Sequence, residues 1–270
     1  MLNKPVDFLS PMILGWLIAN VLWIGLALLM ASAISGRRAL SGLGWILFGV
    51  HWLKQPAHYL AIGDHFNVGL TLAVALFSFY FGWLILAKGC RSRSCDWASC
   101  AVAIGGVAYF PFAELSPLRD WLISETAKLT LLLLGAFDVP AVAGGGSVIT
   151  LYGHSVEIVL ACTAIESMAL FVGVVLSVEA PLKRKVAALL ASVPVIYALN
   201  LFRNIFVVVA YGEEWFGENS FYLAHNVIAK AGSAVALLAI AYVVLMLLPE
   251  LLDMIDELAS DIRHGGGEPT

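Results

Sequence analysis

The chain is expected to fold as an all-α polytopic membrane bundle of about seven transmembrane helices, with an outer interfacial helix and a short outer hairpin or loop. Composition is the first reason. Hydrophobic residues make up 61% of 270 residues and charged residues 13%, too little polar surface to cover a soluble globule of this length. The mean hydropathy is +0.90. The second reason is the recurrence of apolar runs that suit a hydrocarbon core of about 30 Å, which takes roughly 20 helical residues to cross.

In chain order these runs are residues 9–34, 43–62, 68–87, 97–112, 157–178, 186–211 and 221–248. The first contains Ala31-Ser32-Ala33, which resembles a signal-peptidase site. Its apolar core is too long for a signal peptide and Arg37-Arg38 follow it, so it reads as an anchor. The run 97–112 is short, and Pro111 and Pro117 are expected to mark its exit.

Lys and Arg in the short loops set the orientation. Arg37-Arg38, the cluster Lys88, Arg91, Arg93 and the cluster Lys183, Arg184, Lys185 are assigned to the cytoplasm, whereas loops 63–67 and 212–220 carry no Lys or Arg. The N-terminus then lies outside and the C-terminus inside, with Lys4 and Arg119 as isolated exceptions. Parity requires the remaining apolar run, 121–137, not to cross. Asp120, Ser124 and Lys128, with Glu125 adjacent, draw one polar stripe on it, which suits a helix in the outer interface. After it, Gly144-Gly145-Gly146 and the β-prone Val148-Ile149-Thr150-Leu151-Tyr152 predict an outer loop or hairpin within 140–155. The triple glycine lacks the Gly-Lys-Ser/Thr of a phosphate loop, which argues against nucleotide binding.

Three polar residues interrupt the last three runs: Cys162 in EIVLACTAIES, Arg203 in LNLFRNIFVVV and His225 in FYLAHNVIAK. Such groups are costly in a membrane, and function is the default explanation. Read as helices at 1.5 Å per residue, the runs put Cys162 about 8 Å, Arg203 about 12 Å and His225 about 6 Å below the outer surface. Glu166 follows Cys162 by one turn, and Asn200 and Asn204 flank Arg203, so a polar pocket is expected with these as substrate-binding or supporting residues. A thiol must become a thiolate to attack a carbonyl, and a histidine within reach takes its proton. A guanidinium stays protonated and stabilises the tetrahedral oxyanion. Singly, Cys162 could be a small packing residue, Arg203 a partner for Glu166 and His225 a satisfied interfacial histidine; their common depth favours chemistry.

The stretches ACTAIESMALF, LNLFRNIFVVVAYG and YLAHNVIAKAGS resemble the exosortase/archaeosortase family of integral membrane transpeptidases. The Thr-Ala-Ile after Cys162 is closer to the archaeosortase A group than to the Cys-Ser-Gly of bacterial exosortases, and the resemblance is strongest over about residues 97–245. It implies a catalytic set of Cys162, Arg203 and His225; members of the family carry either His or Arg at the third position. It also implies substrates among exported proteins whose C-terminus carries a short motif (Pro-Gly-Phe), a transmembrane helix and a basic tail. Cleavage near the motif and transfer of the new C-terminus to a membrane lipid are implied with it. The expected organisation is one integral membrane domain over 1–270, with a catalytic core at 97–245 and a cytoplasmic tail at 249–270. The expected location is the cell membrane, with the active site near the extracellular face. No cofactor, metal or nucleic-acid partner is expected.

Other polar features read as minor. Cys90, Cys95 and Cys100 recur at five-residue intervals, unlike the CxxC pairs of zinc or redox sites, and read as incidental or reduced cytoplasmic thiols, with lipidation or metal binding as the alternative. The basic clusters are topology determinants rather than substrate contacts. His51, His58 and His65 share a helical face, yet each step is about 10.5 Å, too far for one metal. The tail is amphipathic, with Leu251, Leu252, Ile255, Leu258 and Ile262 as the apolar stripe and Asp253, Asp256, Glu257 and Asp261 left to water. A polytopic transporter would show midplane sites and internal repeats, and no convincing repeat is found. A thiol oxidoreductase would need a second cysteine near Cys162. An intramembrane cysteine protease without transfer shares the thioester and differs only in the acceptor.

Overall fold

The structure is a computed structural model that describes residues 11–61, 63–90 and 92–264. Lys4, Arg91, the first residues of run 9–34, the end of run 43–62 and the tail beyond residue 264 lie outside the described residues. The chain forms two compact units, one of residues 1–103 with 254–270 and the other of residues 104–253.

The first unit is built on helices α1 (Pro11–Ala19), α2 (Val21–Ser35), α3 (Arg38–Ala61) and α4 (His65–Ala87). The first apolar run is therefore two helices meeting at Asn20, whose side chain donates to the Trp16 carbonyl (2.8 Å). Small residues let α2, α3 and α4 approach closely. A Cβ on Gly82 would lie 3.0 Å from the Gly42 carbonyl oxygen, and one on Gly44 the same distance from that of Gly25. Membrane helices pack this way because lipid tails supply no hydrophobic drive between them. Trp45 and Ser41 both donate to the Ser99 hydroxyl (2.9 and 2.8 Å), which in turn donates to the Cys95 carbonyl (2.8 Å). That chain ties α3 to the start of α5 (Arg93–Glu114). Asp64 caps α4 by accepting from the Asn67 N–H. His51 is buried beside Gln55, while His58 and His65 are exposed.

Two expectations are corrected in this unit. Cys90 and Cys95 are not reduced thiols: they form a disulfide, because Gly89, with φ +67°, reverses the chain between α4 and α5 and returns Cys95 to Cys90. In the terminal helix α10 (Glu250–His264), Leu252 and Ile255 are exposed, whereas Leu251 and Met254 are buried. The buried stripe is rotated from the one read in the sequence. Asp261, assigned to water, is half-buried and accepts from the Ser94 hydroxyl (2.7 Å).

The second unit begins within α5, which runs through Pro111 and ends at Glu114, between the two prolines expected to mark its exit. Helix α6 (Ser116–Ala136) buries Leu122, Thr126, Ala127, Thr130 and Leu134 and leaves Trp121 and Lys128 exposed. Three strands follow, β1 (Val142–Gly145), β2 (Val148–Leu151) and β3 (His154–Glu157), paired antiparallel in that order. Val142 opposes Thr150 and Ile149 opposes Val156, with a register shift at Ala143/Gly145 where the glycines bend β1. The predicted hairpin is thus a three-stranded sheet.

Ile149, Leu151 and Val156 bury one face of this sheet against Leu134, Val207 and Val208. Leu151 sits so close to the end of α8 (Leu182–Gly212) that a Cβ on Gly212 would lie 2.6 Å from its side chain. The expected helix over 157–178 is shorter: β3 extends to Glu157, a 3₁₀ turn covers Leu160–Cys162, and α7 spans only Ile165–Ser177. The β-branched Val156, Ile158 and Val159 before the cysteine favour extended backbone over helix. The last run opens as a π-helix, Tyr222–Ile228, and continues as α9 (Ala229–Leu247).

Among the described residues four helices are long and apolar enough to cross a membrane: Asn67–Ala87, Arg93–Glu114, Leu182–Gly212 and Tyr222–Leu247. Val21–Ser35 and Ile165–Ser177 are shorter apolar helices. The protein is a membrane-embedded helical bundle.

Candidate active site

Cys162 lies at the end of the 3₁₀ turn, not inside a helix. The turn is built from its own sequence. The Cys162 N–H donates to the Val159 carbonyl (2.8 Å), and the Thr163 hydroxyl to that of Leu160 (2.7 Å). Ala164 then adopts a left-handed conformation, φ +58°, that costs a non-glycine residue about 1–2 kcal/mol. Strain of this kind persists only where the surroundings over-determine it. Here they do, because the Cys162 side chain is 8% exposed and packs with Ile149, Val156, Ile158 and Ala229. The resulting kink sets Cys162 just ahead of the N-terminus of α7, where the helix dipole favours an anion. Among the described residues its sulfur has no hydrogen-bond partner.

Helix α8 holds the turn. Asn200 and Asn204 both donate side-chain N–H groups to the Cys162 carbonyl, at 2.6 and 3.0 Å. Both asparagines are buried. Arg203 is three residues past Asn200 on the same helical face and is half-buried. Its Nη2 lies 3.4 Å from the Nε2 of His225, which stands on the π-helix. Single π turns recur at functional sites because the extra residue re-aims side chains. His225 stacks on Phe221 with 3° between ring planes, and its Nδ1 is 3.3 Å from the Asn226 Oδ1. With Nδ1–H donating to Asn226, Nε2 is left as the acceptor facing Arg203.

Five of the six residues singled out in the sequence thus fall into two groups that share α8. Arg203 meets His225, and Cys162 is fastened by its carbonyl to Asn200 and Asn204 on the helix that carries Arg203. Glu166 stands apart from both groups. It accepts from the Tyr109 hydroxyl at 3.3 Å and makes no ion pair with Arg203 among the described residues, which removes the structural pairing as the reason for the arginine.

A cavity of about 590 Å³ opens among α7, α8 and α9. Glu166, Asn200, Arg203, Lys230 and Ser233 supply its polar wall, and Ile196, Leu199 and Leu237 part of its apolar one. Leu160, Ala161 and Ala164, on either side of Cys162, line it, whereas Cys162 and His225 do not. Lys230 and Tyr109 were missed in the sequence. Lys230 carried a legible signal, an ionisable group inside the last apolar run; Tyr109 carried none, since its partner lies on another helix.

Residues 4–245 match the transmembrane exosortase family. The chain is 30% identical to archaeosortase A of Haloferax volcanii, over 90% of this chain and 93% of that one. It is 28% identical to archaeosortase A of Natronomonas pharaonis, over 92% of this chain and 88% of that one. No solved structure matches. The three polar motifs, the carbonyl clamp and this match along nearly the whole chain lead to one conclusion: the protein belongs to the transmembrane exosortase family of membrane-embedded processing enzymes.

Proposed function

We propose that the protein is a membrane cysteine transpeptidase that removes the C-terminal sorting signal of exported surface proteins through a thioester at Cys162. The observation that carries this reading is the carbonyl clamp: two buried asparagines of α8, the helix that also carries Arg203, fix the backbone of Cys162.

In the proposed cycle His225 takes the thiol proton and the thiolate attacks the scissile carbonyl. Arg203 stabilises the tetrahedral oxyanion, worth about 3 kcal/mol by analogy with one oxyanion-hole donor. The carbon–nitrogen bond breaks, the leaving amine takes the proton from His225, and a thioester remains. The acceptor, a membrane lipid, gives its proton to His225 as it attacks the thioester and frees Cys162. The substrate reading is an exported protein with a C-terminal Pro-Gly-Phe motif, a transmembrane helix and a basic tail, cleaved near the extracellular face by the core at 97–245.

The test is purified protein in lipid vesicles with such a substrate, followed by mass spectrometry of the processed C-terminus. A lipid-sized mass on the new C-terminus is expected. A free carboxylate would make the protein a protease, and an intact substrate would overturn the reading.

A further inference from the structure

We propose that Cys90, Cys95 and Asp261 form a redox-gated site for a soft divalent cation, zinc by its donor set. The three ligand atoms lie within 4.8 Å of one another, and both cysteines are buried. They come from two separated parts of the chain. Cys90 and Cys95 flank the basic turn between α4 and α5, and Asp261 is on the terminal helix α10. Asp261 is half-buried and has no cationic partner among the described residues; its carboxylate accepts from the Ser94 hydroxyl at 2.7 Å, with the Cys90 sulfur 4.0 Å away.

In the disulfide form the sulfurs hold no metal. A dithiol reductant converts the bridge to two thiols, taking up two electrons and two protons while its own thiols form a disulfide. A divalent cation displaces the two thiol protons as it binds. Two sulfurs and one oxygen suit tetrahedral zinc, with Zn–S about 2.3 Å and Zn–O about 2.0–2.2 Å, and water completes the set. The Cα atoms of Cys90 and Cys95 are 6.7 Å apart, room enough for two sulfurs on one metal.

Such a site would fasten α10 to the α4–α5 turn. The Tyr80 hydroxyl already holds the Ile262 carbonyl beside it (2.9 Å). In the orientation expected from the basic clusters this turn faces the cytoplasm, where a reductant would open the bridge. The site does not depend on the chemistry at Cys162.

The experiment is an anaerobic titration of the detergent-purified full chain with Co²⁺, before and after phosphine reduction. The expected result is one Co²⁺ per chain, with a thiolate-to-metal charge-transfer band, in the reduced protein only. Cys90→Ser and Cys95→Ser should each abolish the band, and Asp261→Asn should weaken binding about tenfold or more. Cys100→Ala and Cys162→Ala should leave it in place. Gel filtration confirms that each variant remains folded; Asp261→Asn preserves the shape of the side chain, so it carries the test if a cysteine variant does not fold. No band after reduction, a band that survives both cysteine variants, or unchanged affinity in Asp261→Asn would each overturn the proposal.

Discussion

At the scale of single residues the proposed chemistry rests on three side chains with different tolerances. Cys162→Ala and Cys162→Ser should leave the protein inserted and abolish cleavage, since a serine hydroxyl is a far weaker nucleophile than a thiolate. Loss of substrate processing in vesicles is the readout, and activity in Cys162→Ala would exclude a thioester. Arg203→Lys keeps the charge but loses the planar fork, so processing should fall by roughly 10²–10³-fold, the scale of one lost oxyanion donor. Full activity with lysine would reduce Arg203 to a general positive field. The structure also separates Arg203 from Glu166, which contacts Tyr109 instead, so Glu166→Gln should leave the arginine's role intact.

At the scale of elements, the turn before α7 and the face of α8 act as one device. Removing both amides in Asn200→Ala/Asn204→Ala leaves the buried Cys162 carbonyl unsatisfied, at a cost of about 1–3 kcal/mol. A misplaced nucleophile should lower the cleavage rate about 10²-fold with little change in substrate binding, measurable as separate effects on kcat and KM. Equal effects on both would mean that the asparagines contact substrate. Ala164 offers an independent probe of the same turn. Glycine accepts φ +58° without strain, so Ala164→Gly should raise thermal stability by about 1 kcal/mol, whereas Ala164→Val should lower it. A stabilising valine would show that the left-handed turn is not kept in the membrane.

At the scale of the whole molecule, orientation and pH response can be checked without substrate. In a background lacking reactive native thiols, cysteine at Ser155 or Asn219, both exposed, should react with an impermeant reagent in intact cells, and cysteine at Asp96 should not. The reverse pattern would invert the topology. Glu250, outside the membrane helices, is held below the usual carboxylate range first by its own backbone N–H and then by the Arg184 guanidinium. A group whose folded pKa is depressed adds stability above its unfolded value of 4.5 and loses it as pH falls through the lower folded value. Acid unfolding should therefore begin at higher pH than wild type in Arg184→Gln, and identical acid curves would show that this pair contributes nothing.

Composition and the spacing of apolar runs determined the class of this protein, because a backbone in lipid has few options besides helix. Local motif content determined the candidates Cys162, Arg203 and His225, since an ionisable group in an apolar run is legible without knowing its neighbours. Only the tertiary structure decided that Cys162 ends a strained turn rather than riding inside a helix, because the pairing of β3 with β2 carries extended chain to Glu157 and leaves only a 3₁₀ turn before α7. Only it decided that Asn200 and Asn204 grip a carbonyl, a contact between residues 38 and 42 positions apart. The Cys90–Cys95 bridge and its neighbour Asp261 were illegible for the same reason: five-residue spacing signals no pairing until a glycine turn and a distant helix bring the three together.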